Sequence, residues 1–144
     1  MAKFDLHNHV NFKRGISPVA AAQTDNTAIV SQIVDTLGYG SVEFAILTGS
    51  LADADATFAV TVDHGDASNL SDAAAVPADQ LLGTTALASF IFSDDDKVFK
   101  IGYLGSRRYV RVTITPSANT GNACIAGVWI LGEPVLSPTS NPPA

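Results

Sequence analysis

The stretch from Lys97 to Pro116 constrains the fold most strongly, because two segments of alternating apolar and polar residues flank the dipeptide Gly105-Ser106. Alternation with a period of two is typical of β-strands, and Gly-Ser is typical of a tight turn between antiparallel strands. The sequence therefore predicts a β-hairpin here. The residues expected to share its inner face are Phe99, Ile101 and Tyr103 on the first strand, and Val110, Val112 and Ile114 on the second.

This predicted hairpin is rich in positive charge and contains no acid. Five of the eight basic residues of the chain lie in it, namely Lys97, Lys100, Arg107, Arg108 and Arg111. A two-residue turn would place Lys100 opposite Arg111, and like charges directly opposite each other are unfavourable. We therefore expect a cationic outer face that needs a partner. If Gly105-Ser106 instead belongs to a longer loop that crosses between two sheets, the two cations separate.

The charges of the chain are segregated along the sequence. Twelve acids and no Lys or Arg lie between Ala20 and Asp96, whereas the first fifteen residues have three bases and one acid. The net charge of −6 disfavours general nucleic-acid binding, which needs a dominant positive surface. The segregation favours charge complementarity between identical subunits or with a fixed protein partner. The alternative is that these charges are simply exposed to water and contact no partner.

Strand patterns recur through the rest of the chain. Thr27 to Asp35, Val42 to Thr48 and Thr57 to His64 have strand character and are separated by turns, which is typical of an all-β sandwich. We expect an antiparallel, jelly-roll-like β-sandwich of about 7–8 strands. Between them and the hairpin, Gly65 to Thr85 is the least strand-like region. The apolar run from Ala123 to Gly132 predicts a strand covered on both faces, or covered on one face by a partner.

The domain organisation follows from these patterns. We predict an extended N-terminal arm over residues 1–26, a β-sandwich over residues 27–136 and a Pro-rich tail over residues 137–144. The arm has scattered apolar residues and bases that could lie on its own domain or on a neighbour, among them Phe4, Leu6, Phe12, Lys13 and Arg14.

No motif for catalysis or metal binding assembles from the sequence. His64, beside Asp63 and Asp66, is the one candidate acid/base cluster, and its place at a strand end predicts a surface loop. His7-Asn8-His9 lacks a third ligand, and the acidic loops match no calcium motif. We expect no cofactor and no enzymatic activity.

Cellular context is predicted from the single Cys124 and from the hydropathy. Cys124 cannot form an internal disulfide and lies in an apolar run, so we expect a buried thiol in a protein made in a reducing cytoplasm. The first fifteen residues lack the apolar core of a secretory signal. The longest apolar run is far shorter than the about 20 residues that span a bilayer, so we expect no membrane partner.

Three segments resemble one family. IGYLGSRRYVRVTITP, the later AGVWILGEP and the earlier DTLGYGSVEFAILTG are similar to small virion proteins of tailed bacteriophages, over Asp35 to Pro134. The segment after Gly132-Glu133-Pro134 departs from the family in being apolar, Val135-Leu136, rather than basic. Arg-Tyr-Val-Arg-Val also occurs in discoidin-type and other carbohydrate-binding jelly rolls.

The resemblance implies a non-enzymatic capsid decoration or cement protein, located on the capsid surface of the virion and made in the host cytoplasm. Its expected partners are the major capsid protein and further copies of itself, with a trimer as the favoured homo-oligomer, and not nucleic acid. The partner-binding residues expected are Phe4, Leu6, Phe12, Lys13, Arg14, Lys100, Arg107, Arg108 and Arg111.

Two alternatives stay open at this point. One is a head–tail connector or tail component of the virion. The other is a carbohydrate-binding jelly roll, which would need exposed aromatic side chains to stack on sugars. The candidates for that role are Tyr39, Tyr103, Tyr109 and Trp129. For Trp129 a position in the core is the favoured prediction, and a position at an interface is the alternative.

Overall fold

The computed structural model describes residues 3–18 and 23–141. Within these ranges the chain forms a short helix, α1 (Thr85–Ala88), and two 3₁₀ turns, His7–His9 and Ala78–Gln80. Its strands are β1 (Val10–Ile16), β2 (Ile29–Val30), β3 (Val34–Asp35), β4 (Tyr39–Leu51), β5 (Thr57–Gly65), β6 (Ala74–Ala75), β7 (Leu81–Leu82), β8 (Phe90–Ile91), β9 (Val98–Tyr103), β10 (Tyr109–Ser117) and β11 (Ala123–Pro134).

These strands form two antiparallel sheets. Sheet I has the order β1-β11-β4-β9-β7. Sheet II has the order β2-β10-β5-β6, with β3 also paired to β10 and β8 also paired to β5. The predicted antiparallel β-sandwich is therefore confirmed. There are more strands than predicted because five of them, β2, β3, β6, β7 and β8, are only two residues long.

The core lies between the two sheets, where the alternating apolar residues of the long strands meet. The inner face predicted for β10 is the one that the structure buries, and the alternating apolar residues of β4 and β5 are buried in the same way. Trp129 on β11 packs against Phe44 on β4 with ring centroids 4.5 Å apart, and its indole N–H donates to the carbonyl of Gln32 at 3.0 Å. The expectation that Trp129 belongs to the core is confirmed.

Two glycines make room for the ring of Phe44. A Cβ atom on Gly15 of β1 would overlap this ring, and so would one on Gly127 of β11. Both contacts would be far inside van der Waals distance, so both positions need a residue without a side chain. Because Phe44 is fully buried, this close packing fixes β1, β11 and β4 together.

The predicted hairpin is wrong. β9 pairs with β4 and β7 in sheet I, whereas β10 pairs with β5, β2 and β3 in sheet II. The segment 104–108 crosses from one sheet to the other. Lys100 therefore lies opposite Ala45, and Arg111 lies opposite Asp63. The like-charge pair does not exist, because alternation identifies a strand but does not specify its neighbour.

Part of the predicted N-terminal arm belongs to the sandwich. Val10–Ile16, which was expected in it, forms β1 and pairs with β11 at the edge of sheet I. The boundary predicted at residue 26 is therefore too late. Residues 1–2 and 19–22 of the predicted arm, and residues 142–144 of the predicted tail, lie outside the described residues.

The two terminal segments are held together. The hydroxyl of Ser137 and the backbone N–H of Thr139 both donate to the carbonyl of Asn8 at 3.0 Å. The hydroxyl of Thr139 donates to the carbonyl of Val10 at 2.7 Å. The beginning of the predicted tail thus lies against the chain that leads into β1.

Candidate interaction surfaces

The outer face of sheet I is largely apolar. We call it the apolar face, and its members are Phe12 and Arg14 on β1, Ala126, Val128 and Ile130 on β11, Glu43, Ala45 and Leu47 on β4, Val98 and Lys100 on β9, and Leu82 on β7. Val98 is 69% exposed, and Phe12, Leu47 and Leu82 are also exposed. Large apolar side chains collected on one open sheet face are typical of an interaction surface.

Strand register arranges this face in rows that run across the sheet. One row contains Phe12, Ile130, Glu43, Gly102 and Leu82. The next row contains Arg14, Val128, Ala45 and Lys100. The acid of the face is therefore offset by one row from its two bases.

Glu43 is a half-buried acid in these apolar surroundings. Burial raises the pKa of its carboxyl, and the nearby ammonium group of Lys100 partly opposes this rise. In the part of the chain that the structure describes, neither Glu43 nor Lys100 belongs to a salt bridge. Charges without an internal partner can bind a group of another molecule.

The outer face of sheet II is mostly polar. We call it the polar face, and its members are Thr57, Thr61 and Asp63 on β5, and Arg111, Thr113, Thr115 and Ser117 on β10, with the exposed Val30 of β2 and Ile91 of β8 beside them. Arg111 donates from Nη2 to the carboxylate of Asp63 at 3.1 Å, and the two residues are directly opposite in the register. The cation expected to need an external partner therefore has one on the neighbouring strand.

The two arginines of the crossover segment are also paired inside the domain. Arg108 donates from Nε and Nη2 to the two oxygens of Asp35 at 2.8 and 2.7 Å, and this contact lowers the pKa of Asp35. Arg107 lies 3.1 Å from Asp66 and 3.6 Å from Asp72. The acidic middle of the sequence thus meets the late bases within one molecule.

A second exposed apolar surface lies at one end of the sandwich. We call it the apolar end, and its members are Phe4, Leu6, Leu37, Val135 and Leu136. Phe4 is 95% exposed and Leu136 is 83% exposed. The N–H of Val135 donates to the carbonyl of Gly38 at 2.9 Å, and Ser137 bonds to Asn8, so the three chain segments are neighbours. The sequence pointed to Phe4 and Leu6 but not to the other three.

The remaining predicted partner-binding residues are distributed as follows. Phe12, Arg14 and Lys100 share the apolar face. Arg14 also donates from Nη1 to the hydroxyl of Ser17 at 3.0 Å. Lys13 is in register with the buried Trp129 and so lies on the opposite side of β1. The structure therefore divides the predicted set, apart from Lys13, among the apolar face, the apolar end and the internal ion pairs.

His64 is buried in the sandwich, and its predicted surface-loop position is wrong. Its ring Nδ1 lies 3.0 Å from the hydroxyl of Tyr103 on β9. This hydroxyl donates to the carbonyl of Arg107 at 3.1 Å and accepts from the N–H of Arg107 at 3.0 Å. Burial, and then the charge of Arg107, lower the pKa of His64. The imidazole links the two sheets and the crossover segment.

Cys124 is exposed at the start of β11, so the expectation of a buried thiol is wrong. Its side chain lies on the outer side of the strand, between the buried neighbours Ala123 and Ile125. Among the described residues, no three His, Cys, Asp or Glu side chains come together as a metal site. No helix within residues 3–18 and 23–141 is long and apolar enough to cross a membrane.

Comparison with known proteins supports the fold. No family model and no curated protein sequence matches this chain. The crystal structure of the PBSX exported protein XepA is similar over 99% of this chain, with a TM-score of 0.53 and 13% sequence identity. This chain spans 43% of the length of that protein. At such low identity the similarity defines the class of fold, a β-sandwich.

Two further solved structures are more distant. One contains the CBM22-1 and GH10 modules of the Clostridium thermocellum xylanase 10B complexed with xylohexaose, with a TM-score of 0.46, 10% identity, and coverage of 94% of this chain and 28% of that one. The other is a family two carbohydrate esterase from Cellvibrio japonicus, with a TM-score of 0.36, 12% identity, and coverage of 93% of this chain and 37% of that one.

The aromatic residues considered for sugar stacking are not arranged as an exposed platform. Trp129 and Tyr103 are buried, and Tyr39 and Tyr109 are half-buried. The hydroxyl of Tyr39 accepts from the side-chain amide of Asn11 at 2.6 Å, and Arg108 lies over the ring of Tyr109 at 5.1 Å. These contacts engage the side chains inside the domain.

Proposed function

We propose that this protein is a non-enzymatic virion structural protein of a tailed bacteriophage, of the capsid decoration or cement type. It binds the major capsid protein on the outer surface of the shell, and it acts as a homo-oligomer. The observation that carries this proposal is the apolar end, where Phe4, Leu6, Leu37, Val135 and Leu136 are all exposed on three neighbouring chain segments. A protein that acts alone in water gains nothing from such a surface.

Hydrogen bonds within the domain hold the backbone beside the apolar end. Thr139 and Ser137 fix the backbone at Asn8, two residues after Leu6. The side-chain carboxylate of Asp5 accepts from the backbone N–H of Asn8 at 3.1 Å, which holds the turn that follows Phe4. Preorganisation of this kind reduces the entropy lost on binding, so modest contacts contribute more affinity.

The sequence resemblance and the fold support the same class. The segments similar to small virion proteins of tailed bacteriophages lie in β4, β9, β10 and β11, which form the centres of both sheets. The PBSX exported protein XepA shares the sandwich fold. A cement protein stabilises a shell by mass action, because each bound copy contacts several subunits and the binding free energies of many modest interfaces add up.

The test is binding to shells assembled from the major capsid protein of the phage that encodes this chain. The double variant Phe4→Ser/Leu6→Ser should bind at least about tenfold more weakly, since each lost apolar anchor reduces the binding free energy. The double variant Phe92→Ser/Leu104→Ser is the matched control, because it removes one exposed Phe and one exposed Leu elsewhere.

Co-sedimentation with shells and the temperature at which the shells disassemble provide the two measurements. Wild type and the control should bind and raise that temperature. Unchanged binding by Phe4→Ser/Leu6→Ser would remove the apolar end from the proposal. If wild type binds no shell but is found at the neck or tail of the virion, the protein is a connector or tail component instead.

A further inference from the structure

We propose that the apolar face of sheet I is the contact between two copies of this chain, packed face to face about a two-fold axis. This pairing is independent of shell binding, which we assign to the apolar end. It predicts an even-numbered assembly in place of the trimer that the sequence resemblance implies. Three properties of the face bear on a second copy: its area, its charges and the residues that a two-fold axis places opposite each other.

The projected area of the face is about half of what a standard interface buries per partner. The four long strands of sheet I about 4.8 Å apart, with three rows of outward residues about 6.8 Å apart, cover a patch roughly 19 Å by 20 Å, and the two-residue β7 adds Leu82. That is about 380 Å² in projection, and the accessible area of a surface with side chains is larger than its projection. A standard interface buries about 800 Å² per partner. Leu87 on α1, which is exposed beside Val98 and Lys100, extends the face further.

The charges of the face are complementary to themselves. Glu43 lies in one row, and Lys100 lies in the next row on the neighbouring strand β9. A two-fold axis between these rows, perpendicular to the strands, exchanges the rows in the second copy. Glu43 of each copy then lies over Ala45 of the other, beside its Lys100. The symmetry forms this contact twice, as an isologous interface requires.

The same axis places the large Leu47 of one copy opposite the small Ser41 of the other, because their rows are equally distant from the axis. On β11 it places Ala126 opposite Gly132, and Ile130 opposite Val128. Arg14 faces Phe12, an arrangement that allows a cation–π contact. Aligned packing of two sheets in this way is the arrangement of β-sandwich cores.

Charge reversal tests the pairing directly. In Glu43→Lys the new ammonium group lies opposite Lys100 of the second copy, and in Lys100→Glu the new carboxylate lies opposite Glu43 of the second copy. Each variant alone should therefore lose self-association by at least about tenfold. An equal mixture of the two variants should form a heterodimer, since both contacts between them are then between opposite charges. A contact only within one chain would not produce this rescue.

The measurement is sedimentation equilibrium of the full chain at concentrations up to about 100 µM, well above a micromolar dissociation constant. The matched control is the pair Thr61→Lys and Thr115→Glu on the polar face, which should each remain dimeric. Circular dichroism checks that every variant is folded. A wild-type dimer, two monomeric variants and a heterodimer in the mixture support the proposal.

Three results would overturn it. The first is a wild type that is monomeric at about 100 µM or that forms a trimer. The second is a Glu43→Lys variant as dimeric as wild type. The third is a mixture that does not associate. If wild type is monomeric and Glu43→Lys loses shell binding, the apolar face belongs to the capsid protein, and the failure of the dimer leaves the proposed function intact.

Discussion

The two outer faces of the sandwich differ although the same alternation builds both sheets. On the polar face, Thr side chains dominate and Arg111 is paired with Asp63 across two strands. On the apolar face, aliphatic side chains dominate, and Glu43 and Lys100 lack a salt bridge among the described residues. Both faces cover the same buried core, so burial against that core does not account for the difference.

This comparison teaches that positive charge alone does not locate the contact surface. The densest run of bases in the sequence, Arg107, Arg108 and Arg111, is paired with acids of the same domain. The apolar face and the apolar end instead have exposed apolar side chains, with a few charges among those of the apolar face. A closed ion pair on a surface contributes modest stability and leaves little for a partner.

The largest expected effect comes from comparing two phenylalanines on opposite sides of sheet I, the buried Phe44 and the exposed Phe12. Phe44→Ala removes a fully buried ring that packs on Trp129 and on two glycines, so it should lower the free energy of unfolding by about 3–5 kcal/mol. Phe12→Ala on the apolar face should cost less than about 1 kcal/mol. Urea denaturation at low protein concentration measures both. Equal losses would mean that the outer face is structural rather than available.

A smaller effect contrasts the cations of the two faces. Arg111→Ala should cost about 1 kcal/mol, because it leaves the half-buried Asp63 without its partner. Lys100→Ala should change stability by less than about 0.5 kcal/mol. A double-mutant cycle of Arg111 with Asp63 should give a favourable coupling energy. No coupling in this cycle would contradict the assignment of Arg111 to the fold.

The pH dependence of stability probes the junction between the sheets. The pKa of His64 in the folded protein lies below its ordinary value of 6.5, so the unfolded chain binds the proton more tightly. The contribution of His64 is therefore fully present above pH 6.5 and is lost as the pH falls from there through the folded pKa. Urea denaturation at a series of pH values should show this loss.

The pH dependence of stability that is due to His64 can be distinguished from that of other titrating groups. The pKa of Asp35 is lowered from 3.8, so its contribution is lost only in more acidic solution. The pKa of Glu43 is raised from 4.5, so its contribution has the opposite sign and falls as the pH rises above that value. His64→Gln should remove the loss that begins near pH 6.5. A loss that persists in this variant would contradict its assignment to His64.

Much of the fold could be predicted from the sequence because alternation is a local property. The strand over Thr57 to His64, the inner face of β10 and the buried position of Trp129 all agree with the structure. The apolar face could also have been predicted. In β4 the residues between the buried ones include Ala45 and Leu47, and in β11 almost every residue is apolar.

The partners of these strands could not be predicted in the same way. Gly105-Ser106 has the composition of a hairpin turn, yet the chain crosses between the sheets there. The pairing of β1 with β11 joins residues at opposite ends of the chain. For the same reason the burial of His64 and the exposure of Cys124 were missed, because each depends on which elements pack beside them.

The sequence by itself determined where most of the long strands lie, which side of the alternating strands is buried, and that the acids and bases are segregated. Only the tertiary structure decided how those charges are used. Arg108 and Asp35 are 73 residues apart and meet because β3 and β10 are adjacent in sheet II. Burial of apolar surface drives strands into a sandwich but does not specify their order. Their order is decided by contacts between distant residues, and it also decides which surfaces are left for partners.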